Sequence, residues 1–147
     1  MVTMDEAKAC VFHHAFPVDD LAAARRFYGE LLGCPIARRD TVRAVDFDFF
    51  GHHVIAHLVE PDRTAVHRAA GGAENMQVRH FGVVLAWPAW QVLADRLSGE
   101  GVEFLVAPHT RRRGQPDEEA LMLFADPSGN VLEFKAVRER ATLFGSR

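Results

Sequence analysis

Residues 11–33 read VFHHAFPVDDLAAARRFYGELLG, and this stretch predicts a strand followed directly by a helix. The segment 11–18 is rich in β-branched and aromatic residues, as strands are. Asp19 or Asp20 can accept hydrogen bonds from the free N–H groups that open a helix. Gly33 suits the left-handed residue that ends one. Between them, apolar residues recur at steps of three and four, the period of one buried helical face: Leu21, Ala24, Phe27, Tyr28, Leu31 and Leu32.

The rest of the chain predicts three strands after this helix and then the same order again. The strand candidates of the first half cover 36–38, 42–50 and 52–60. The second half predicts a Val-rich strand over 79–86, a helix that begins near Pro88, and strands over 102–106, 120–125 and 130–137. Each half therefore follows the order βαβββ, and the sequence predicts an α+β protein.

Length and composition limit the domain count and the partners. The 147 residues suffice for one domain, or for two small halves that share a core. We expect a single domain with module one at about 11–60, a linker at 61–78, module two at about 79–137 and a C-terminal tail at 138–147. A net charge of −3 gives no attraction for a phosphate backbone or an anionic membrane, so neither nucleic acid nor a membrane is an expected partner. Two cysteines and no apolar run of signal or membrane-span length predict a soluble cytoplasmic protein.

Strand alternation directs four polar side chains away from the apolar faces of their strands. His13 and His80 each fall on the side opposite the phenylalanines of the first strand of their module. Glu133 lies between two core candidates in the last strand of the second half, and His57 lies in the last strand of the first half. If a pseudo-twofold axis relates the halves, these four side chains can converge on one point.

Three motifs make the chain resemble the vicinal oxygen chelate superfamily, also called the glyoxalase/bleomycin resistance/dioxygenase superfamily, over about 11–137. They are FHHAFPVDDL (12–21) leading into RFYGELLGC (26–34), HFGVV (80–84) and DPSGNVLEF (126–134). The resemblance implies two βαβββ modules that form a curled mixed sheet around a divalent metal, with a small substrate completing the coordination through adjacent oxygens. The ligand positions of the family match His13, His80 and Glu133.

The implied ligand set favours one chemistry over two others. Two histidines and one carboxylate leave coordination positions open, which suits Fe(II) or Mn(II) in oxygenases, while Zn, Ni and Co stay open because similar ligands accept them. An extradiol-type dioxygenase is therefore expected first. A glyoxalase-like isomerase or lyase comes second, and the rival from another class is a metal-free binding protein of the bleomycin-resistance type. The family also implies a homodimer.

His57 is predicted to be either a metal ligand or a catalytic acid/base, because the resemblance places it where glyoxalase-like members hold a glutamate that is both ligand and base. Other polar residues are assigned to ordinary structure. Residues 111–113, three arginines in a row, are predicted as a solvated loop, with an arginine that reaches an anionic substrate as the alternative. Residues 126–129 are predicted as a turn and not as the setting of a catalytic serine. Cys34 is predicted to pack in the interior.

Overall fold

The computed structural model of the chain describes residues 10–61 and 78–145. The chain divides into two compact units, Met1–Thr64 and Ala65–Arg147, and each contains one four-stranded sheet. The predicted α+β class and the repeated βαβββ order are confirmed. The predicted linker 61–78 falls, apart from its first and last residues, outside the described part of the chain.

The first unit contains β1 (His13–Val18), a helix, α1, that starts at Leu21 and ends at Leu31, β2 (Ile36–Asp40), β3 (Ala44–Phe49) and β4 (His52–Leu58). Its strand order is β1-β4-β3-β2, with β1 parallel to β4 and the other neighbours antiparallel. Helix α1 has α form over Leu21–Ala24 and continues as a π-helix over Arg25–Leu31.

The ends of α1 have the chemistry that the sequence predicts. The Asp20 side chain accepts a hydrogen bond from the Ala23 backbone N–H at 2.9 Å, so the second of the two aspartates is the N-cap. Gly33 follows the helix with a φ of 75°, in the left-handed region. The Tyr28 ring is fully buried and lies 5.1 Å from Phe16 and 5.3 Å from Phe47, so the helix packs on the face of the sheet that carries these rings.

The second unit repeats this plan with β5 (His80–Leu85), α2 (Trp87–Gly99), β6 (Phe104–Arg111), β7 (Glu119–Ala125) and β8 (Val131–Val137), followed by a short 3-10 helix (Arg140–Phe144). Its strand order is β5-β8-β7-β6, with β5 parallel to β8. The buried Trp90 indole N–H donates to the Phe134 carbonyl at 2.9 Å and ties α2 to β8. Within the described ranges, no helix is long and apolar enough to cross a membrane.

Strand β6 is longer than the sequence predicts, and this corrects the assignment of Arg111 to a loop. After two irregularities, the antiparallel pairing of β6 with β7 continues to the pair Arg111 and Glu119. Arg112 then turns with a φ of 50° and forms ion pairs with Asp117 at 2.8 Å and Glu119 at 3.0 Å. Cross-strand pairing therefore extends a strand through residues whose charge favours a solvated loop.

The thiol of Cys34 is buried, as the sequence predicts. Burial, and secondarily the charge of Asp48, raise the pKa of Cys34 to about 12. The thiol is therefore protonated at neutral pH and is unsuited to nucleophilic chemistry.

Candidate metal site

Strand register decides which side chains share the face of the first sheet that lies opposite α1. In the parallel pair of β1 and β4, His13 lies opposite His53, Ala15 opposite Ile55 and Pro17 opposite His57. Residues paired in this way project from the same face, and Phe16, one residue along, projects to the α1 side. His13 and His57 therefore lie on one face, as strand alternation predicts.

His13, the first residue of β1, contacts His53, the second residue of β4. The rings of His13 and His53 are stacked with their centroids 4.9 Å apart, and their Nδ1 atoms are 3.0 Å apart. The other ring nitrogen of His53, Nε2, lies 3.2 Å from Oδ2 of Asp46 in β3. His13 thus belongs to a cluster of three polar side chains within its own unit.

In the second unit, the structure brings His80 and Glu133 together. Nε2 of His80 lies 3.1 Å from Oε2 of Glu133, and the two side chains are 25% and 14% exposed. Both directly paired neighbours are apolar, since Val131 lies opposite His80 and Leu123 opposite Glu133. The His80–Glu133 pair thus stands at the edge of an apolar cluster and retains access from one side.

The hydrogen bond of His80 Nδ1, on the side of the ring away from Glu133, shows that this nitrogen carries a proton. Nδ1 of His80 lies 2.7 Å from the carbonyl oxygen of Val78, and a carbonyl can only accept, so Nδ1 carries the proton. In a neutral imidazole, Nε2 then presents a lone pair. In that state the lone pair faces a carboxylate oxygen, so the 3.1 Å contact requires either a bound cation between the two atoms or a second proton on His80.

This donor set fits a divalent metal. Metal-binding histidines commonly donate their second N–H to a backbone carbonyl, as His80 does to Val78. Ligand atoms bound at ~2.1 Å and at right angles around an ion lie about 3 Å apart, close to the separation of the His80 and Glu133 atoms. The His80–Glu133 pair can therefore act as two adjacent ligands.

Two local features fix the position of Glu133. The Asp126 carboxylate accepts hydrogen bonds from the backbone N–H groups of Ser128 at 2.9 Å and Asn130 at 2.8 Å, in the turn that precedes β8. Residues 126–129 are thus a turn, as predicted. Gly82 lies opposite Glu133 in β5, and a Cβ built on Gly82 would overlap the backbone carbonyl of Glu133. Gly82 allows the close approach of β5 and β8 that places the two ligand candidates together.

We expect Gly82→Ala to lower the free energy of unfolding by about 3 kcal/mol, because the rigid backbone of β8 must move to admit the methyl group. Gly99→Ala is the matched control, since its added Cβ meets nothing within 4 Å and alanine favours a helix. Urea unfolding of both variants gives the measurement. Equal stability of Gly82→Ala and the wild type would contradict the close approach.

By strand register, the first-module equivalent of Glu133 is Ile55, and His57 lies two residues further along β4. Glu133 pairs with Gly82, two residues after His80, and the corresponding partner of Ala15, two residues after His13, is Ile55. His57 is exposed, and among the described residues it has no hydrogen-bonded partner. Its role as ligand or acid/base stays a prediction.

The structure assembles the predicted residues in part. His80 contacts Glu133, and His13 contacts His53. Among the described residues, no group of three or more His, Cys, Asp or Glu side chains is arranged to hold a metal ion. A site that combines His13 with the His80–Glu133 pair stays a prediction.

Sequence reasoning missed His53 and Asp46, which contact each other and adjoin His13. The signal was present in β3, where Ala44, Asp46 and Asp48 alternate with buried apolar residues. This alternation places the aspartates on the face that carries His13. The contact of His13 with His53 requires the parallel pairing of β1 and β4, which the sequence does not specify.

The charged residues further along β7 and β8 pair with one another. Glu119 contacts Lys135 at 2.9 Å and Arg112 at 3.0 Å. Burial acts to raise the pKa of Glu119, but these two cations together hold the pKa below its ordinary value. Glu119 is therefore a carboxylate paired with two cations and differs from Glu133, which contacts Nε2 of His80.

The chain is an α+β protein of two βαβββ units, and each unit opens on a strand whose first residue is histidine. The sequence profile of the glyoxalase/bleomycin resistance protein/dioxygenase superfamily matches residues 11–134. The chain belongs to this superfamily.

Solved structures agree with this assignment. A glyoxalase/bleomycin resistance protein/dioxygenase from Alicyclobacillus acidocaldarius is 31% identical, with a TM-score of 0.72 over 89% of this chain and 93% of that one. A lactoylglutathione lyase from Agrobacterium tumefaciens is 18% identical, with a TM-score of 0.62 over 94% and 98%. A fosfomycin resistance protein from Mesorhizobium loti is 15% identical, with a TM-score of 0.62 over 92% and 98%. The last two show a shared fold only. No curated protein matches the chain at a significant level.

Proposed function

We propose that the chain is a divalent-metal-dependent enzyme in which His13, His80 and Glu133 hold the ion. Its substrate is a small molecule that binds through adjacent oxygens, and the preferred reaction is extradiol-type oxygenation. One observation carries the proposal: Nε2 of His80 and Oε2 of Glu133 lie 3.1 Å apart, and the opposite nitrogen of His80 is anchored on the carbonyl of Val78. A bound Fe(II) or Mn(II) would supply Lewis-acid polarisation of the substrate oxygens and a site for dioxygen.

Neighbouring residues orient the proposed ligands and place apolar side chains beside them. Val78 orients the His80 ring, and Gly82 lets β8 approach closely enough for Glu133 to meet it. Leu123 and Val131 place apolar bulk beside the pair, which lowers the local dielectric and strengthens charge interactions there. His57 is the proposed acceptor of a proton from the substrate hydroxyl.

The residue at position 55 favours three protein ligands, His13, His80 and Glu133, over a four-ligand site. By strand register, Ile55 is the first-module equivalent of Glu133, and its buried side chain has no ligating atom. A glyoxalase-like isomerase or lyase that needs a carboxylate from each module is therefore the second candidate. A metal-free binding protein is the third candidate, and the adjacent donor atoms of His80 and Glu133, anchored by Val78, favour a metal site over it.

The test is metal uptake followed by oxygen uptake, on protein purified without a histidine tag and loaded anaerobically with Fe(II) or Mn(II). We expect about one equivalent of metal per chain, bound through three protein ligands, and consumption of one O2 per catechol-type ring opened. Four protein ligands and turnover without O2 would support the isomerase or lyase instead. Less than about a tenth of an equivalent would support the metal-free binder.

A homodimer and a cytoplasmic location are also proposed. The C-terminal tail carries Phe144, which is 78% exposed, and the partly exposed Leu143, and we propose that this tail packs across the dimer interface. Large apolar side chains in this state are typical of surfaces that associate.

A further inference from the structure

A chain of three side chains in the first unit leads from a buried carboxylate to His13. The Asp46 side chain is only 5% exposed, and its Oδ2 lies 3.2 Å from Nε2 of His53. Nδ1 of His53 lies 3.0 Å from Nδ1 of His13. The cluster therefore uses both nitrogens of His53 and one nitrogen of His13.

Stability alone does not account for the carboxylate at position 46. Its second oxygen, Oδ1, is buried and has no hydrogen-bond partner in the described part of the chain, and the nearest cation, Nε of Arg39, is 3.7 Å away. A buried polar atom without a partner lowers stability. Such a group in a native fold calls for an explanation other than packing.

The direction of each hydrogen bond follows from the chemistry of Asp46. An ionised carboxylate only accepts, so Nε2 of His53 must carry a proton and donate it. In neutral His53, Nδ1 then holds a lone pair, and the short contact requires Nδ1 of His13 to be the donor. In neutral His13, the remaining nitrogen, Nε2, is left with its lone pair exposed for a ligand.

We propose that Asp46 and His53 are positioning residues that hold His13 in the Nδ1–H tautomer and so present its Nε2 as a metal ligand. The part of this inference that concerns the metal rests on the proposed function. His80 reaches the same tautomer through the carbonyl of Val78. The two histidine ligands would thus be oriented by different means, one by the backbone and one by a buried side-chain pair.

The tautomer is tested on the metal-free protein, at a pH where histidine is ordinarily neutral, by two-bond 1H–15N correlation spectra. The wild type is expected to show a protonated Nδ1 and an unprotonated Nε2 at His13. His53→Phe keeps the ring that stacks on His13 but removes the acceptor, so His13 should shift towards the Nε2–H tautomer. His53→Asn places an amide oxygen near the position of Nδ1 and should restore the wild-type pattern.

Metal affinity gives a second readout, measured by competition with a chelator. We expect His53→Phe to weaken metal binding by 10- to 100-fold, which is typical when the hydrogen-bond partner of a metal ligand is lost. His53→Asn should recover most of the lost affinity. His14→Phe is the control, because His14 stacks between Phe12 and Phe16 on the opposite face of β1 and should bind metal normally.

The outcomes separate this inference from the proposed function. An Nε2–H tautomer in the wild type, or a spectrum and affinity unchanged in His53→Phe, would overturn the inference even if the protein binds metal well. A wild type that takes up no metal would overturn the proposed function, while the spectra of the metal-free protein would still decide the tautomer of His13. Loss of affinity in His53→Phe with no recovery in His53→Asn would show a packing effect and count against the inference.

Discussion

Glu133→Gln is expected to lower metal affinity by at least ~100-fold and to remove turnover, while the protein stays folded. The amide keeps the shape of the carboxylate but loses the negative charge that attracts a cation beside Nε2 of His80. Losing a residue that hydrogen-bonds to a metal ligand typically lowers metal affinity 10- to 100-fold, so the loss of a ligand itself should lower the affinity further. Metal content after reconstitution, chelator competition and steady-state turnover give the measurements.

Stability should change little in this variant. Glutamine keeps the size of Glu133 and can still contact His80, so we expect the free energy of unfolding of the metal-free protein to change by about 1 kcal/mol or less. Glu119→Gln is the matched control, because Glu119 is also a carboxylate of the second sheet, but its partners are Lys135 and Arg112. We expect normal metal binding in this control. A Glu133→Gln protein that keeps its full metal content would contradict the assignment of Glu133 as a ligand.

Local chemistry made most of the fold predictable from the sequence. Asp20 caps α1 and Gly33 ends it with the left-handed backbone that a glycine there suggests. The turn at 126–129 also forms as its residue types indicate, with Asp126 accepting backbone N–H groups. Arg111 was misassigned because its place in β6 depends on pairing with Glu119, a contact that the charge of the local sequence does not indicate.

The candidate site was predictable only where it depends on alternation within one strand. Alternation correctly placed His80 and Glu133 on one face, and the structure shows them in contact. The register between neighbouring strands could not be predicted in the same way. It sets Ile55 and not His57 at the level of Glu133, and it brings His53 onto His13. A shift of two residues keeps every side chain on its face, so the hydrophobic pattern cannot reveal it.

His57→Ala is expected to reduce kcat by about 100-fold and to leave metal affinity within about threefold of the wild type. The reason is the position of His57 along β4. It lies opposite Pro17, one pair beyond Ile55, and successive residues on one face of a strand are about 7 Å apart. A side chain at that distance from the ligand level, exposed and with no hydrogen-bonded partner among the described residues, suits contact with substrate better than coordination.

The control is His52→Ala, which removes an imidazole from the same strand but from the opposite face, where its Nδ1 accepts from the Phe12 backbone N–H at 3.2 Å. Its kcat and metal affinity should both stay near the wild-type values. For His57→Ala, a large fall in metal affinity with kcat preserved after reloading would make His57 a fourth ligand and strengthen the isomerase alternative. If neither quantity changes, the proton must leave the substrate through another group, and the exposed His57 would have no part in the reaction. Measuring kcat at saturating metal separates the outcomes, because a defect in loading then no longer limits turnover.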